Sequence, residues 1–397
     1  MSYDDLGLEP IINATGTVTR LGGAIMPDAV LAALRAGAEE TVPLEQLQDA
    51  ASQQIAKLTG AEAGLVTGGA AAALTLGTAA ILTGNDLARM EKLPDTRGMS
   101  SEFIIAREQR NGYDHAVRAA GATLVEVGFN EITAGAGVRR TEAWEYEAAI
   151  SGQTAGIVYV YNRSSRPPLS EVVKVAHRRG LPVIVDAAGG LPPRSNLKAL
   201  IATGADLVCF SGGKVIRGPQ GTGILCGRRK LISSAALQML DMDDHPELWT
   251  PPGFIHRPRA GLPRHGIGRA FKVGKEQVVA LLTALDLFTS GAYDAEFAAL
   301  GDRLRTIESS LNEGGAKCSC RFIPAASSDH WPQLEISVDE HVLGRTAFDV
   351  CRQLRAGSPP VYVGHGKLAE GVLVVSPMCV AARQWEPLAR RLREELV

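Results

Sequence analysis

The stretch Asp206-Leu-Val-Cys-Phe-Ser-Gly-Gly-Lys214-Val-Ile-Arg217-Gly-Pro-Gln-Gly-Thr222-Gly223 holds the residues best suited to chemistry. An apolar run ends in Ser211, two glycines and Lys214. In an open α/β sheet the carboxyl ends of strands are where ligands bind. A lysine partly desolvated there, or set beside other cations, loses its proton and condenses with an aldehyde to a Schiff base. A Walker-type phosphate loop is excluded, because Val208 stands where its first glycine is required and Val215 follows the lysine in place of Ser or Thr. The competing reading is a solvated surface lysine in a glycine-rich turn.

Two further segments favour the chemical reading. Val183-Ile-Val-Asp186-Ala-Ala-Gly-Gly190 is a second apolar run ending in a carboxylate, 28 positions before Lys214. Such an aspartate pairs with a pyridinium nitrogen and keeps the ring able to accept electrons, which is what pyridoxal phosphate needs. A helix cap or a metal ligand are the alternatives. Leu65-Val-Thr67-Gly68-Gly69-Ala70 turns from a strand through two glycines into an alanine-rich helix. Its first N–H groups and its dipole suit a phosphate, although a tightly packed core helix would read the same. Phosphate turn, carboxylate and lysine follow one another in that order, each at a strand end.

These residues need a scaffold of parallel strands and crossover helices. Short β-branched runs at 103–106, 123–127, 156–160, 182–185, 207–210 and 223–225 alternate with amphipathic stretches, which predicts an α/β class. Residues 169–179 and 273–288 read as helices, the first closed by Gly180. Between 241 and 266, Asp, Pro, His and Gly without periodicity indicate a long functional loop or a domain junction. The expected organisation is an N-terminal arm (1–25), a large domain (26–270) with a mainly parallel seven-stranded sheet, and a small α+β domain (271–397).

Composition narrows the partners. Hydrophobic residues make 45% and charged residues 21% of the 397, which excludes collagenous and disordered classes. A net charge of −2 argues against a broad grip on nucleic acid or anionic membrane and favours a small-molecule partner. Six cysteines without a CxxC pair give no zinc ribbon, no metal site is expected, and a reducing cytoplasm is the simple reading. The start, MSYDDLGLEP, is acidic where a secretory signal would be basic. Residues 63–85 are uncharged for long enough to imitate a membrane span, but they are mostly Ala, Gly and Thr. Glycine is in excess, 43 of 397, and six of these fall in the sixteen residues from 212 to 227.

On the lysine, aspartate and glycine segments, together with Ile11-Ile-Asn-Ala-Thr-Gly-Thr-Val-Thr-Arg20-Leu-Gly-Gly23 and Gly268-Arg269-Ala-Phe-Lys-Val-Gly-Lys-Glu276, the chain resembles fold-type I pyridoxal-phosphate enzymes. Within them it is similar to the selenocysteine-synthase-like group, which includes L-seryl-tRNA selenium transferase and D-glucosaminate-6-phosphate ammonia-lyase. The resemblance implies that Lys214 carries the cofactor, that Asp186 meets its ring nitrogen, and that Thr67, Gly68, Gly69 and Ala70 with Ser211 surround its phosphate. It also implies a homodimer or higher homo-oligomer, with Thr222 or Arg269 reaching a neighbour's cofactor. Gln109 and His115 are the candidates to stack on the ring; a solvated loop for Gln109 and a helix cap for His115 are the competing roles. Arg20, Arg217, Arg269 and His365 are the candidates for substrate contact. Two departures bear on the reaction. The first motif begins at Ile11 without the longer segment used for tRNA contact, and Ser358-Pro-Pro is followed by Val-Tyr-Val-Gly-His365-Gly-Lys367 where relatives often place an arginine.

The expected function is a pyridoxal-phosphate lyase acting at Cα or Cβ of an amino acid or amino-sugar acid, by ammonia loss, dehydration or aldol cleavage. The alternatives are a selenium or sulfur transferase to seryl-tRNA and a noncatalytic cofactor-binding protein. A nicotinamide dehydrogenase is disfavoured because no GxGxxG follows an early strand.

Overall fold

The alternation of apolar runs and amphipathic stretches appears directly in the computed structural model, which describes residues 1–129, 139–241, 243–257, 261–325 and 331–397. After a short strand β1 (Ile12–Ala14) come β2 (Ala63–Thr67), β3 (Glu102–Ala106), β4 (Thr123–Val127), β5 (Thr154–Val160), β6 (Val183–Asp186), β7 (Leu207–Ser211) and β8 (Gly223–Gly227). Strands β9 (Cys318–Ile323), β10 (Gln333–Val338), β11 (Val361–Val363) and β12 (Val372–Val375) follow. The chain divides into two compact units, one of Asp28–Leu191 with Ser195–Leu285, the other of Met1–Pro27, Pro192–Arg194 and Asp286–Val397.

In the first unit, seven strands form one sheet in the order β2-β8-β7-β6-β5-β3-β4. Only β8 runs antiparallel to its neighbours. Every residue of β6 and β8 is buried, as is most of β7, so these strands are continuous apolar runs without alternation. The helix Ala70–Thr83 explains the uncharged stretch at 63–85. It is apolar all round because it is buried nearly all round, and at 14 residues it spans about 21 Å. Gly77 within it lies so close to β6 that a Cβ would stand 2.5 Å from Ile184 Cδ1. No single helix among the described residues is long and apolar enough to cross a membrane. The irregular 241–266 segment has its ends drawn together by an antiparallel bridge between Asp241 and His265.

Edge strand β2 is guarded by the helix Leu44–Thr59. Gln48 donates from Nε2 to Val66 O at 2.9 Å and accepts at Oε1 from Val66 N–H at 3.1 Å, and the Ser52 hydroxyl accepts from Gly64 N–H at 3.0 Å. These bonds satisfy backbone groups that an open edge would expose.

The second unit has its own core, with an antiparallel sheet β12-β10-β9 and a parallel pair β1-β11. Leu304 and Leu311, Leu334 and Ile336, and Leu388 and Leu392 are buried together in it. The division differs from the expected one at both ends. Residues 1–25 are no separate arm, because Ile12 and Ala14 pair with Val361 and Val363 and are buried there. The later division falls at Leu285/Asp286, inside the helix Lys275–Ser290, instead of at 270.

Candidate active site

Sheet register brings the central candidates to one edge. Thr67 is paired with Gly223, Gly223 with Ser211, and Asp186 with Cys209, so the carboxyl ends of β2, β7 and β6 meet the amino end of β8. Lys214 follows β7 by three residues.

The lysine is carried on a tightly folded loop. Gly212 N–H donates to Thr222 O and Gly218 N–H to Gly212 O, each at 2.9 Å, while Arg217 N–H donates to the Lys214 carbonyl at 2.9 Å. A Cβ on Gly212 would stand 2.2 Å from Thr222 Oγ1, and one on Gly213 would stand 2.4 Å from Gln220 Cα. The glycine excess therefore has a steric cause here: the loop folds back on itself at distances no side chain allows. Arg217 takes a left-handed φ of 64°, a sparsely populated conformation for a residue other than glycine.

Lys214 is partly buried, and its Nζ makes no hydrogen bond or ion pair among the described residues. Burial holds its proton affinity below that of an ordinary lysine, against the Asp186 carboxylate, which raises it. Asp186 is buried, and its Oδ1 accepts from Ala188 N–H at 3.0 Å. Burial pushes this carboxyl above the usual carboxylate range; the Ala188 bond and the Lys214 charge pull it down, and Asp114 adds to the rise. A deprotonation-prone amine and a desolvated carboxyl thus influence each other at the sheet edge, the kind of perturbed pair that functional sites concentrate.

At the end of β2 the chain turns through Gly68 and Gly69, the latter at φ 109°, into the helix Ala70–Thr83. No side chain caps this helix, which leaves its first N–H groups to an outside acceptor. The Thr67 hydroxyl donates to Gly69 O at 2.9 Å and the Thr222 hydroxyl to Pro219 O at 2.6 Å, so both shape their turns. These residues fit a phosphorylated pyridine aldehyde: an unengaged amine, a buried acid and an uncapped helix start share one sheet edge.

The remaining candidates separate. Gln109 is buried, accepting from Val160 N–H at 2.9 Å and donating to Arg166 O at 3.3 Å, so it ties the segment after β3 to the end of β5. His115 is exposed, with Nδ1 3.1 Å from Arg118 Nη2. Arg217 is buried. Arg269 pairs with Asp241, which also bonds His265 Nε2 at 2.8 Å. Arg20 and His365 belong to the second unit, Arg20 lying over the Tyr362 ring at 5.6 Å and His365 being exposed. Asp114, paired with Arg110, is a residue that sequence reasoning misses although its charge reaches Asp186. Its one sequence signal is an acid in Arg110-Asn-Gly-Tyr-Asp114-His115, where helix and loop readings overlap.

Comparison with known proteins gives a consistent picture. Residues 11–242 match the family model described as SelA, L-seryl-tRNA selenium transferase. The chain is 30% identical over its whole length, and over 92% of the other, to a 5'-C-glycyluridine monooxygenase-decarboxylase from Streptomyces sp. It is 28% identical to D-glucosaminate-6-phosphate ammonia lyase from Salmonella typhimurium, covering 99% of this chain and 97% of that one. A solved structure of D-glucosaminate-6-phosphate ammonia-lyase superimposes with a TM-score of 0.80 at 28% identity, over 99% and 97% of the two chains. An L-seryl-tRNA(Sec) selenium transferase from Nitratidesulfovibrio vulgaris is 30% identical over 56% of this chain and 49% of its own.

Proposed function

The chain belongs to the SelA family, and from that premise we propose that it is a pyridoxal-phosphate lyase of the ammonia-lyase type, acting at Cα and Cβ of an amino acid or amino-sugar acid. The observation that carries the reading is the partly buried Lys214 amine, without a bonding partner among the described residues, coupled to buried Asp186 at the carboxyl edge of the sheet. End-to-end similarity to an ammonia lyase supports the reaction class.

Lys214 would hold the cofactor at its aldehyde, Asp186 at its ring nitrogen, and the N–H groups of the 67–70 turn with the Ser211 hydroxyl at its phosphate. When bound, pyridoxal phosphate supplies an aldehyde for the substrate's amino group and a ring that draws off electrons as a bond at Cα breaks. Lys214 does the proton work: burial lowers the proton affinity of its Nζ, so it gives up and takes back a proton more readily than an ordinary lysine. Asp186, kept from water and oriented by Ala188 N–H, presents its carboxyl to one partner. The loop from Gly212 to Gly223 keeps Lys214 from wandering, since its turns close on each other's backbones. Six free thiols and the exposed Ile25, Leu31, Val42 and Leu44 support the extension of this reading to a cytoplasmic homodimer or larger homo-oligomer.

The experiment is an absorbance spectrum of the purified protein, then a screen of amino acids and amino-sugar acids for spectral change and released ammonia. A near-visible band that borohydride removes, absent in Lys214→Ala, together with ammonia release, is the expected result. A protein without such a band defeats the reading. Full-length similarity to a monooxygenase-decarboxylase favours a second reading, cleavage of the bond from Cα to the carboxylate; carbon dioxide release with oxygen uptake and no ammonia would establish it.

A further inference from the structure

At the opposite edge of the seven-stranded sheet, where the parallel strands begin, lies a cavity of about 530 Å³. Its apolar wall is formed by Ala80, Ile81, Leu181 and Leu231, and its polar wall by His177, Asp206, Arg228 and Lys230. Asp206 is buried, with both carboxylate oxygens engaged. Oδ1 pairs with Arg228 Nε at 2.6 Å, and Oδ2 lies 2.9 Å from His177 Nε2 and accepts from Val183 N–H at 2.8 Å. Arg228 and His177 are thereby fixed in place by a buried carboxylate. Among the described residues, the Arg228 Nη groups and Lys230 Nζ have no bonding partner. Two permanent cations face one buried anion, so the polar wall carries a net positive charge even with His177 neutral.

The geometry points to a binding site for a small organic anion, a carboxylate or phosphate on an apolar body, separate from the lysine edge. The anionic group would be held by the Arg228 Nη groups and Lys230 Nζ, as charge-assisted hydrogen bonds to a pre-oriented guanidinium are the strong ones. The apolar body would cover Ile81, Leu181 and Leu231, an arrangement usual for ligand pockets of this size. Neither the lysine chemistry nor the strand register uses these free donors, and the site stands or falls independently of the reaction assigned above.

Isothermal titration calorimetry of the cofactor-loaded protein with benzoate, phenyl phosphate and neutral benzyl alcohol tests it. Binding of at least one of the two anions, with benzyl alcohol inert, is expected; preference between the two identifies the anionic group. Lys230→Glu should weaken binding roughly tenfold or more through loss of a charge-assisted bond. Leu181→Trp, which fills the cavity and leaves its charges in place, should abolish it, while Lys214→Ala leaves it unchanged. Failure of both anions to bind, equal binding by benzyl alcohol, or anion binding unaltered in both cavity variants would overturn the assignment. Loss of binding in Lys214→Ala would do the same, by placing the anion at the lysine edge.

Discussion

Gly223 at the start of β8 lies directly against Gly69 at the start of the phosphate-turn helix: a Cβ on Gly223 would stand 2.4 Å from the Gly69 carbonyl carbon and 2.5 Å from Ala70 N. The lysine loop and the phosphate turn are therefore packed backbone to backbone. Gly223→Ala should push the turn away and cost about 1–3 kcal/mol of stability, as overpacking does. Cofactor retention after gel filtration should fall along with the denaturant midpoint. Retention equal to that of the unsubstituted protein would mean that the turn has no part in holding the cofactor.

Gln109 bridges two strand ends by bonding Val160 N–H and Arg166 O from a buried position. Gln109→Leu leaves that N–H without an acceptor and should lower stability by about 1–3 kcal/mol. Gln109→Glu keeps the acceptor and should recover part of the loss. If the side chain instead served mainly as a ring-stacking group, Gln109→Leu would change the cofactor spectrum and leave the denaturation curve alone.

The placement of the candidate residues at one sheet edge was legible because strand ends are. Lys214, Asp186 and Thr67 each close an apolar run, and an apolar run long enough to cross a covered sheet ends at a sheet edge. What the residues could not disclose was partnership across long sequence separation. Nothing in Ile12-Asn-Ala14 says that it pairs with Val361-Tyr-Val363, some 350 positions away, so the first 25 residues read as an arm. Gln109 likewise reads as a ring-stacking candidate or a solvated loop residue until Val160 is seen beside it. Arg269 reads as free for substrate until Asp241 is drawn against it by the closing of the 241–266 loop.

Thiol reactivity should follow burial. Burial pushes the Cys226 thiol up to about 12, and burial with the Asp186 charge also raises Cys209 well above the ordinary range. Thiolate is the reactive form, so both should resist iodoacetamide in the native protein at about pH 8 and react only on unfolding. Mass spectrometry of alkylated peptides reads this directly. Rapid native labelling of Cys209, which sits beside Asp186 in the sheet register, would contradict a desolvated aspartate.

The pH dependence of the lysine carries the sharpest test. Burial lowers the proton affinity of Lys214 and the Asp186 carboxylate partly restores it. In cofactor-free protein, reaction with a small aldehyde trapped by cyanoborohydride should therefore have a midpoint below that of an ordinary lysine. Asp186→Asn removes the restoring charge, so the midpoint should move further down. Stability runs the other way. A lysine whose folded affinity is depressed contributes nothing unfavourable above its unfolded value of 10.5, and its cost develops as pH falls from there through the folded value. Lys214→Met should accordingly stabilise the cofactor-free protein at neutral pH, with the gain fading as pH rises toward 10.5. A gain independent of pH would trace to packing alone, and an upward midpoint shift in Asp186→Asn would mean that Asp186 does not act on Lys214 as an anion.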